Sequence, residues 1–363
     1  MPGYKAKNFL NNTINGVLMN NNNKKMISIK PEISAVIPCY NCSEYILRVI
    51  RSVQNQNYSN FEIVIGNDFS DINTLLSLEQ LKKEDPRIRI INNKKNMGTL
   101  YTRSISTLAS RAKYVFPIDS DDLFLDKDVF YSLIHIAKNS NIDILIFNSI
   151  ITDLKPNIYS TNIFLNPYEK AHKPNLFLFQ PELGYYPITP KFEFESLSFN
   201  EELIFAKCIK TKIYKKAIKK LDKERYSRFM VLGEDDIANF IIFNTAKIGK
   251  FVPKYGYIYV ERKGSISRRQ SNKVNLLLNH IYILDVVIEF AKNCKKNKTI
   301  LINYIFLIFK SKYLSDAINS NEYNYKIFIS CLDRILKCNY VSNEFKNEIR
   351  KRGKSLKYIK YNF

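Results

Sequence analysis

Three closely spaced carboxylates follow an apolar run in the first half of the chain. The run at residues 115–118 leads into Asp119, and Asp121 and Asp122 come directly after it. Side chains two apart in an extended chain project to the same side, so Asp119 and Asp121 are predicted to share a face, where they repel each other unless a cation or a proton lies between them. The spacing therefore predicts a divalent-cation site. The alternative is an acidic turn, in which Asp121, Asp122 or Asp126 caps the following helix.

These carboxylates stand within an alternation of short apolar runs and helical stretches. Strands are predicted at residues 33–37, 61–65, 87–91, 113–118 and 143–147. Helices are predicted to begin between them, near Ser43, Asp71, Met97 and Asp128. Strands that alternate with helices favour a mostly parallel α/β sheet covered on both faces, and such sheets bind ligands beyond the carboxyl ends of their strands. The sequence thus places the carboxylates at the ligand-binding edge of a sheet.

The composition is typical of a globular chain. Its 363 residues are 45% hydrophobic and 13% aromatic, which suffices for one large or two ordinary domains. The N-terminal residues are polar and do not resemble a signal peptide, and the longest apolar run, at residues 299–309, is shorter than the ~20 residues that cross a bilayer. We therefore expect a cytoplasmic protein that is neither secreted nor membrane-spanning.

Six cysteines are scattered along the chain, at positions 39, 42, 208, 294, 331 and 338. Because no secretory signal accompanies them, the spacing does not indicate a disulfide framework, and a reducing compartment is predicted. Cys39 and Cys42 form a CxxC pattern, but no second pair completes a zinc site. We expect both to be ordinary semi-buried thiols.

The formal net charge of +22 is compatible with nucleic acid, an anionic membrane or a phosphate-bearing substrate as partner. Lys, Asn and Ile are abundant throughout, as an AT-rich genome would produce without selection for any partner, and no nucleic-acid motif is recognisable, so no nucleic acid is expected. Residues 343–363 carry seven Lys and Arg against two Glu. If helical, the part from Phe345 onward has an apolar face, which predicts peripheral contact with an anionic membrane, with a solvated helix as the alternative.

Six motifs occur in a fixed order along the chain. They are AVIPCYN at 35–41, SVQNQNY at 52–58, EIVIGNDFS at 62–70, NMG at 96–98 followed by Arg103, PIDSDD at 117–122 and LGEDD at 232–236. Together they resemble the family 2 glycosyltransferases with a GT-A fold, over roughly residues 32–268. Fold-level analogy alone does not fix the substrate.

The resemblance implies a Rossmann-like GT-A domain that transfers a sugar with inversion. The donor would be a nucleoside diphosphate sugar, with a UDP-sugar expected, and the acceptor a hydroxyl on a glycan, lipid or protein. We expect a disordered Asn-rich leader at 1–30, a nucleotide-sugar-binding half at 31–150, an acceptor and catalytic-base half at 151–270 and an all-helical C-terminal extension at 271–363. The rival hypothesis is a degenerate transferase domain or a basic binding protein tethered to anionic membrane or nucleic acid.

The resemblance also assigns donor-binding residues. Asp68 would accept a hydrogen bond from the nucleotide base, a role that suits an ionised carboxylate, although Asn67 and Phe69 replace the Asp and Gly usual beside it. Pro38 and Tyr40 would line the same pocket. The remaining assigned positions are Asn41, Asn96, Gly98, Arg103, Asp119, Ser120, Arg262 and Ser265, of which the last two lie in a basic loop expected over the diphosphate.

The acidic motifs receive catalytic roles from the same resemblance. Asp121 would bind Mn²⁺ or Mg²⁺ directly, and Asp119 would contact the ribose, the metal or its waters, consistent with the hard oxygen ligands that these ions prefer. Asp235 would remove the proton from the acceptor hydroxyl, with Asp236 as an open alternative. Acidic residues that merely cap the following helix are the competing explanation for Asp235 and Asp236.

Overall fold

The computed structural model of the protein describes residues 30–139, 141–152, 185–187, 204–221, 229–230 and 233–260, three short strands before them and isolated helical residues between 279 and 347. The short strands are β1 (Thr13–Ile14), β2 (Val17–Met19) and β3 (Met26–Ser28), which pair antiparallel in a sheet of their own. The leader and the helical C-terminal extension otherwise fall outside these residues and stay predictions. Among the described residues, no helix has the length and apolarity needed to cross a membrane.

The first half of the main sheet is parallel. Its strands are β4 (Ile33–Cys39), β5 (Phe61–Asn67), β6 (Ile88–Asn92) and β7 (Tyr114–Pro117). Strand β4 pairs with both β5 and β7, and β6 lies outside β5. The helices of this half are α1 (Ile46–Gln54), α2 (Ile72–Glu84), α3 (Thr99–Ala109) and α4 (Val129–Asn139). Each begins within three residues of its predicted start.

The second half mixes parallel and antiparallel pairing. Its strands are β8 (Leu123–Phe124), β9 (Ile144–Thr152), β10 (Tyr185–Pro187), β11 (Lys207–Lys210) and β12 (Ile248–Val260), and its helices are α5 (Thr211–Lys220) and α6 (Glu234–Phe243). The four-residue strand β11 lies between β7 and β9 and runs antiparallel to both, whereas β12 runs parallel to β9. The predicted α/β architecture is confirmed. The antiparallel strand β11 was not predicted by the alternation of strands and helices along the sequence.

A cluster of aromatic rings fixes the two halves against each other. Phe116 of β7 packs against Phe124, Phe130 and Phe147, with ring centroids 6.0, 5.1 and 6.1 Å away. All four side chains are buried. Full burial of such a side chain contributes about 1.5–3 kcal/mol, so this cluster anchors β7 and the acidic turn that follows it.

The prediction for the first two cysteines is wrong. Cys39 and Cys42 form a disulfide that closes the loop after β4, and both residues are buried. The expectation of free thiols rested on the inferred compartment, whereas a tight turn at the end of β4 brings the two Cα atoms to 5.9 Å, within the range that a disulfide spans. Cys208 is a free, buried thiol whose pKa is raised by its burial.

Candidate active site

A single arginine gathers the acidic residues of two distant motifs. Arg103 lies on α3 with only 2% of its side chain exposed. Its Nη2 donates to Asp119 Oδ1 over 2.8 Å, and its Nη1 donates to Asp235 Oδ1 over 2.9 Å. Glu234 Oε1 lies 4.0 Å from the same Nη1. Two predicted site residues 116 positions apart, Asp119 and Asp235, therefore share one guanidinium.

Three secondary-structure elements converge to make this contact. Asp119 follows the carboxyl end of β7, while Glu234 and Asp235 occupy the first turn of α6. Gly233 precedes that helix in a left-handed conformation with φ 76°, which glycine adopts without steric cost. The Ile204 N–H donates to Asp235 Oδ2 over 3.1 Å, so both carboxylate oxygens are held. Asp236 lies in the same turn, but the contact to Arg103 is made by Asp235.

The cluster carries more negative charge than its arginine can neutralise. Burial alone would lower the pKa of Arg103, but the charges of Asp235, Asp119 and Glu234 raise it above its usual value. Burial, reinforced by Asp235, raises the pKa of Glu234 to about 8. Burial also raises the pKa of Asp235, against the opposing charge of Arg103. Near neutral pH the excess charge is relieved by a proton on Glu234.

Asp122 has a structural role that the sequence did not indicate. It is 1% exposed and accepts hydrogen bonds from the Tyr257 hydroxyl and the Val260 N–H, both over 2.8 Å. The Tyr257 hydroxyl in turn accepts from the Asp119 N–H over 3.1 Å. Burial and the charges of Asp121 and Asp119 raise the pKa of Asp122 well above its usual value. These contacts tie β12 to the acidic turn and fix the position of Asp119.

The carboxylates of Asp119 and Asp121 remain partly exposed on that turn. The main-chain oxygen of Asp121 accepts a hydrogen bond from Arg48 Nη2 over 3.0 Å, which holds the turn from the α1 side. Ser120 is likewise partly exposed. The described residues include no group of three or more His, Cys, Asp or Glu arranged to hold a metal ion. The metal-binding roles of Asp119 and Asp121 stay predictions.

Asp68 is engaged within the protein. Its Oδ1 accepts from Asn93 Nδ2 and the Met97 N–H, both over 2.7 Å, and its Oδ2 accepts from the Gly98 N–H over 2.8 Å. Asn96 Oδ1 accepts from the same Gly98 N–H over 3.2 Å. Asp68 thus fastens the loop that enters α3, the helix of Arg103, a contact that sequence reasoning missed. Its role toward a nucleotide base stays a prediction.

Gly98 is required where this loop meets residue 230. Its φ is 85°, and a Cβ there would lie 2.7 Å from the Met230 nitrogen and 2.8 Å from its oxygen. Real Cβ atoms do not approach backbone so closely, and the positive φ disfavours other residue types. The close approach lets the chain just before α6 pack against the start of α3.

The loop after β4 lies beside the loop after β5. Asn41, at φ 46°, accepts from the Asp71 N–H over 2.8 Å and donates its own N–H to Ser70 Oγ over 3.1 Å. Pro38 is buried within β4, whereas Tyr40 is half exposed. The predicted nucleotide-pocket residues therefore line neighbouring strand ends. Arg262 and Ser265 lie outside the described residues.

Comparison with known proteins identifies this architecture. Residues 34–196 match the family described as Glycosyl transferase family 2. The similarity to this family therefore covers just under half of the chain. An uncharacterized glycosyltransferase of Haemophilus influenzae is 36% identical over 112 residues, which are 31% of this chain and 35% of that relative. The chain thus spans about a third of that relative's length.

Two further matches extend beyond this region. The processive diacylglycerol beta-glycosyltransferase of Mycoplasma pneumoniae is 25% identical over 249 residues, 68% of each chain. The crystal structure of S. aureus TarS 1-349 in complex with UDP-GlcNAc superposes with a TM-score of 0.62 at 15% identity, over 86% of this chain and 82% of that one. This structural likeness confirms the predicted GT-A fold of the family 2 domain.

Proposed function

We propose that this family 2 protein is an inverting, metal-dependent glycosyltransferase that moves a sugar from a UDP-sugar to an acceptor hydroxyl by single displacement. The observation that carries the proposal is the sharing of Arg103 by Asp119 and Asp235. One residue belongs to the motif expected at the donor diphosphate and the other to the motif expected at the acceptor. A transfer reaction needs these two groups side by side, because the attacking oxygen and the leaving phosphate meet at one carbon.

Asp235 would act as the general base. Its two oxygens are held by Arg103 and by the Ile204 N–H, so the carboxylate has a fixed orientation. Its raised pKa makes it a stronger base than an exposed aspartate. Removal of the hydroxyl proton would accompany formation of the bond to the anomeric carbon, since a sugar hydroxyl is far too weak an acid to ionise beforehand.

The acidic turn fits a divalent cation that is also bound by substrate. Asp121 and Asp119 offer hard oxygen ligands, and Mg²⁺ is typically bound by one or two carboxylates together with substrate phosphates and waters. The two carboxylates of this turn would supply the protein ligands, and the substrate phosphates and waters would supply the others. When bound, the cation would neutralise charge on the departing diphosphate.

The nucleotide would bind over the loops after β4 and β5. Tyr40 is half exposed beside Asn41, which suits stacking of an aromatic ring on a base. The complex of TarS with UDP-GlcNAc supports uridine as the nucleotide. The acceptor is a hydroxyl of a glycan, lipid or protein.

A panel of nucleotide sugars tests this proposal. The full chain is incubated with UDP-, GDP- and other nucleotide sugars in Mn²⁺, with EDTA as the matched control, and release of the free nucleotide is measured. We expect hydrolysis or transfer with one or more UDP-sugars, abolished by EDTA. If the protein neither binds nor turns over any nucleotide sugar, the rival hypothesis is favoured, in which the domain has lost catalysis and binds another partner.

A further inference from the structure

A second pocket lies at the opposite edge of the sheet. It has a volume of about 580 Å³ and is lined by the segment that enters β7, the end of α4 and the start of α5. Tyr114, at the amino end of β7, lines it, whereas Asp119 follows the carboxyl end of that strand. At ~3.3 Å per extended residue, the two positions are roughly 16 Å apart. The pocket is therefore separate from the acidic cluster.

The lining of this pocket is basic. Its charged side chains are all cationic: Arg111, Lys113, Lys138, Lys210, Lys212 and Lys215. Two of them are neutralised locally, because Lys210 pairs with Asp143 over 3.1 Å and Lys138 with Glu32 over 2.8 Å. The other four form no ion pair with a carboxylate among the residues that the structure describes. Four cationic side chains around one pocket attract an anion.

The start of α5 lies at the same place, and the Thr211 N–H there donates to the Lys113 carbonyl over 2.9 Å. No side chain caps this ten-residue helix, and its first turn contains no acidic residue. Thr211, the first helical residue, lines the pocket and is 5% exposed, and within the described part of the chain its hydroxyl has no hydrogen-bond partner. A buried hydroxyl without a partner is costly unless something supplies one. The positive end of the helix and this hydroxyl favour an anion with acceptor oxygens.

Lys215 is held at this pocket by the main chain. Its ammonium donates to the Ser110 carbonyl over 2.7 Å. Partial burial lowers the pKa of Lys215, and the charges of Lys219 and Arg89 lower it further, against the opposing charge of Glu62. An anion bound beside Lys215 would favour the charged form of its ammonium group.

We infer that this pocket binds a phosphate group, at a site distinct from the sugar-transfer site. A tetrahedral oxyanion matches several separate donors, here the ammonium groups of Lys113, Lys212 and Lys215 and the hydroxyl of Thr211. The phosphate is either free in solution or part of an anionic lipid headgroup. The two sources share the same recognition chemistry and are separated by experiment.

The test compares two double variants of the full chain that remove equal charge from α5 and its surroundings. Lys113→Ala with Lys212→Ala removes two exposed cations from the pocket. Lys216→Ala with Lys219→Ala removes two exposed cations of α5 that do not line it. Binding of inorganic phosphate is measured by calorimetry without divalent metal. We expect affinity to fall about tenfold in the pocket variant and less than twofold in the control.

A third variant isolates the hydroxyl. Thr211→Val keeps the shape of the side chain and is expected to weaken phosphate binding by about fivefold, with thermal unfolding measured to verify the fold. Co-sedimentation with phosphatidylglycerol vesicles, against neutral phosphatidylcholine vesicles, identifies the source. A loss of vesicle binding confined to the pocket variant identifies a lipid headgroup, whereas unchanged vesicle binding identifies soluble phosphate. Absence of phosphate binding by the unaltered protein, or equal losses in both double variants, overturns the inference.

Discussion

At the carboxyl edge of the sheet three carboxylates surround one buried guanidinium, whereas at the amino edge six cationic side chains line one pocket. At the carboxyl edge the Arg103 guanidinium is buried and its three carboxylate partners are at most partly exposed, so these charges depend on one another. The cations Arg111, Lys113 and Lys212 at the amino edge are exposed, and water can solvate them. The chain has a net charge of +22 but also contains an acidic cluster at one edge of the sheet. Removing a cation from this cluster should affect stability more than removing one from the basic pocket.

Removal of one cation from each edge should give the largest contrast. Arg103→Met leaves three carboxylates without their shared partner, and breaking a buried pair in this way costs about 3–5 kcal/mol of stability. Lys113→Ala removes an exposed cation and should change stability by less than about 0.5 kcal/mol. Denaturant unfolding of both variants measures the difference. If both variants lost similar amounts of unfolding free energy, the burial of Arg103 would not explain its contribution to stability.

The second largest effect concerns the chemical step. Asp235→Asn should reduce transfer by about 10²-fold or more, because an amide cannot accept the hydroxyl proton, while nucleotide binding is retained. Asp236→Asn is the matched control, one residue along the same helical turn, and should leave transfer within a few-fold of normal. Initial rates and calorimetry separate the two effects. The reverse ranking would move the base to Asp236.

Metal-dependent donor binding is expected to be the next most sensitive property. Asp121→Ala should weaken UDP affinity in Mn²⁺ by about tenfold or more, because one carboxylate cannot hold the cation against water. Asp126→Ala, which removes a carboxylate farther along the same segment, should not. Calorimetry with and without Mn²⁺ decides between them. Unchanged affinity in Asp121→Ala would remove the metal from the acidic turn.

The smallest effect is a pH dependence confined to the acidic edge. Burial and Asp235 raise the pKa of Glu234 from 4.5 to about 8, so between these values the folded state holds a proton that the unfolded state has lost. The free energy of unfolding should therefore fall as pH rises through this window, by on the order of 1 kcal/mol between pH 6 and 7. Glu234→Gln should flatten that slope. If the free energy of unfolding depended on pH equally in the unaltered protein and in Glu234→Gln, the dependence would not come from Glu234.

The sequence predicted what local pattern controls. Apolar runs separated by helical periods predicted β4 to β7. The shared face expected for Asp119 and Asp121 assumed an extended chain, whereas the structure has a turn at these residues. Strand β11 escaped prediction because four residues carry too little periodicity, and its antiparallel position follows from the sheet as a whole. The Cys39–Cys42 disulfide was not predicted, because free thiols were inferred from the compartment and not from the geometry of the turn.

Partners separated by long stretches of chain could not be predicted in the same way. The bond between Arg103 and Asp235 joins residues 132 apart and depends on how α3 and α6 pack. The hydrogen bond from the Tyr257 hydroxyl to Asp122 joins residues 135 apart. The basic pocket draws its cations from three segments that are separate in sequence, and the packing of β7, α4 and α5 brings them together. Tertiary packing creates each of these contacts.

The shared guanidinium of Arg103 also has an evolutionary consequence. Because Asp119 and Asp235 draw on the same cation, a change at one alters the electrostatic partner of the other, and their effects should be epistatic by about 0.5–3 kcal/mol. A lineage that changes the acidic turn after β7 therefore changes the selective value of mutations at the start of α6. Substitutions on the two sides of this arginine are therefore expected to be tolerated better together than singly.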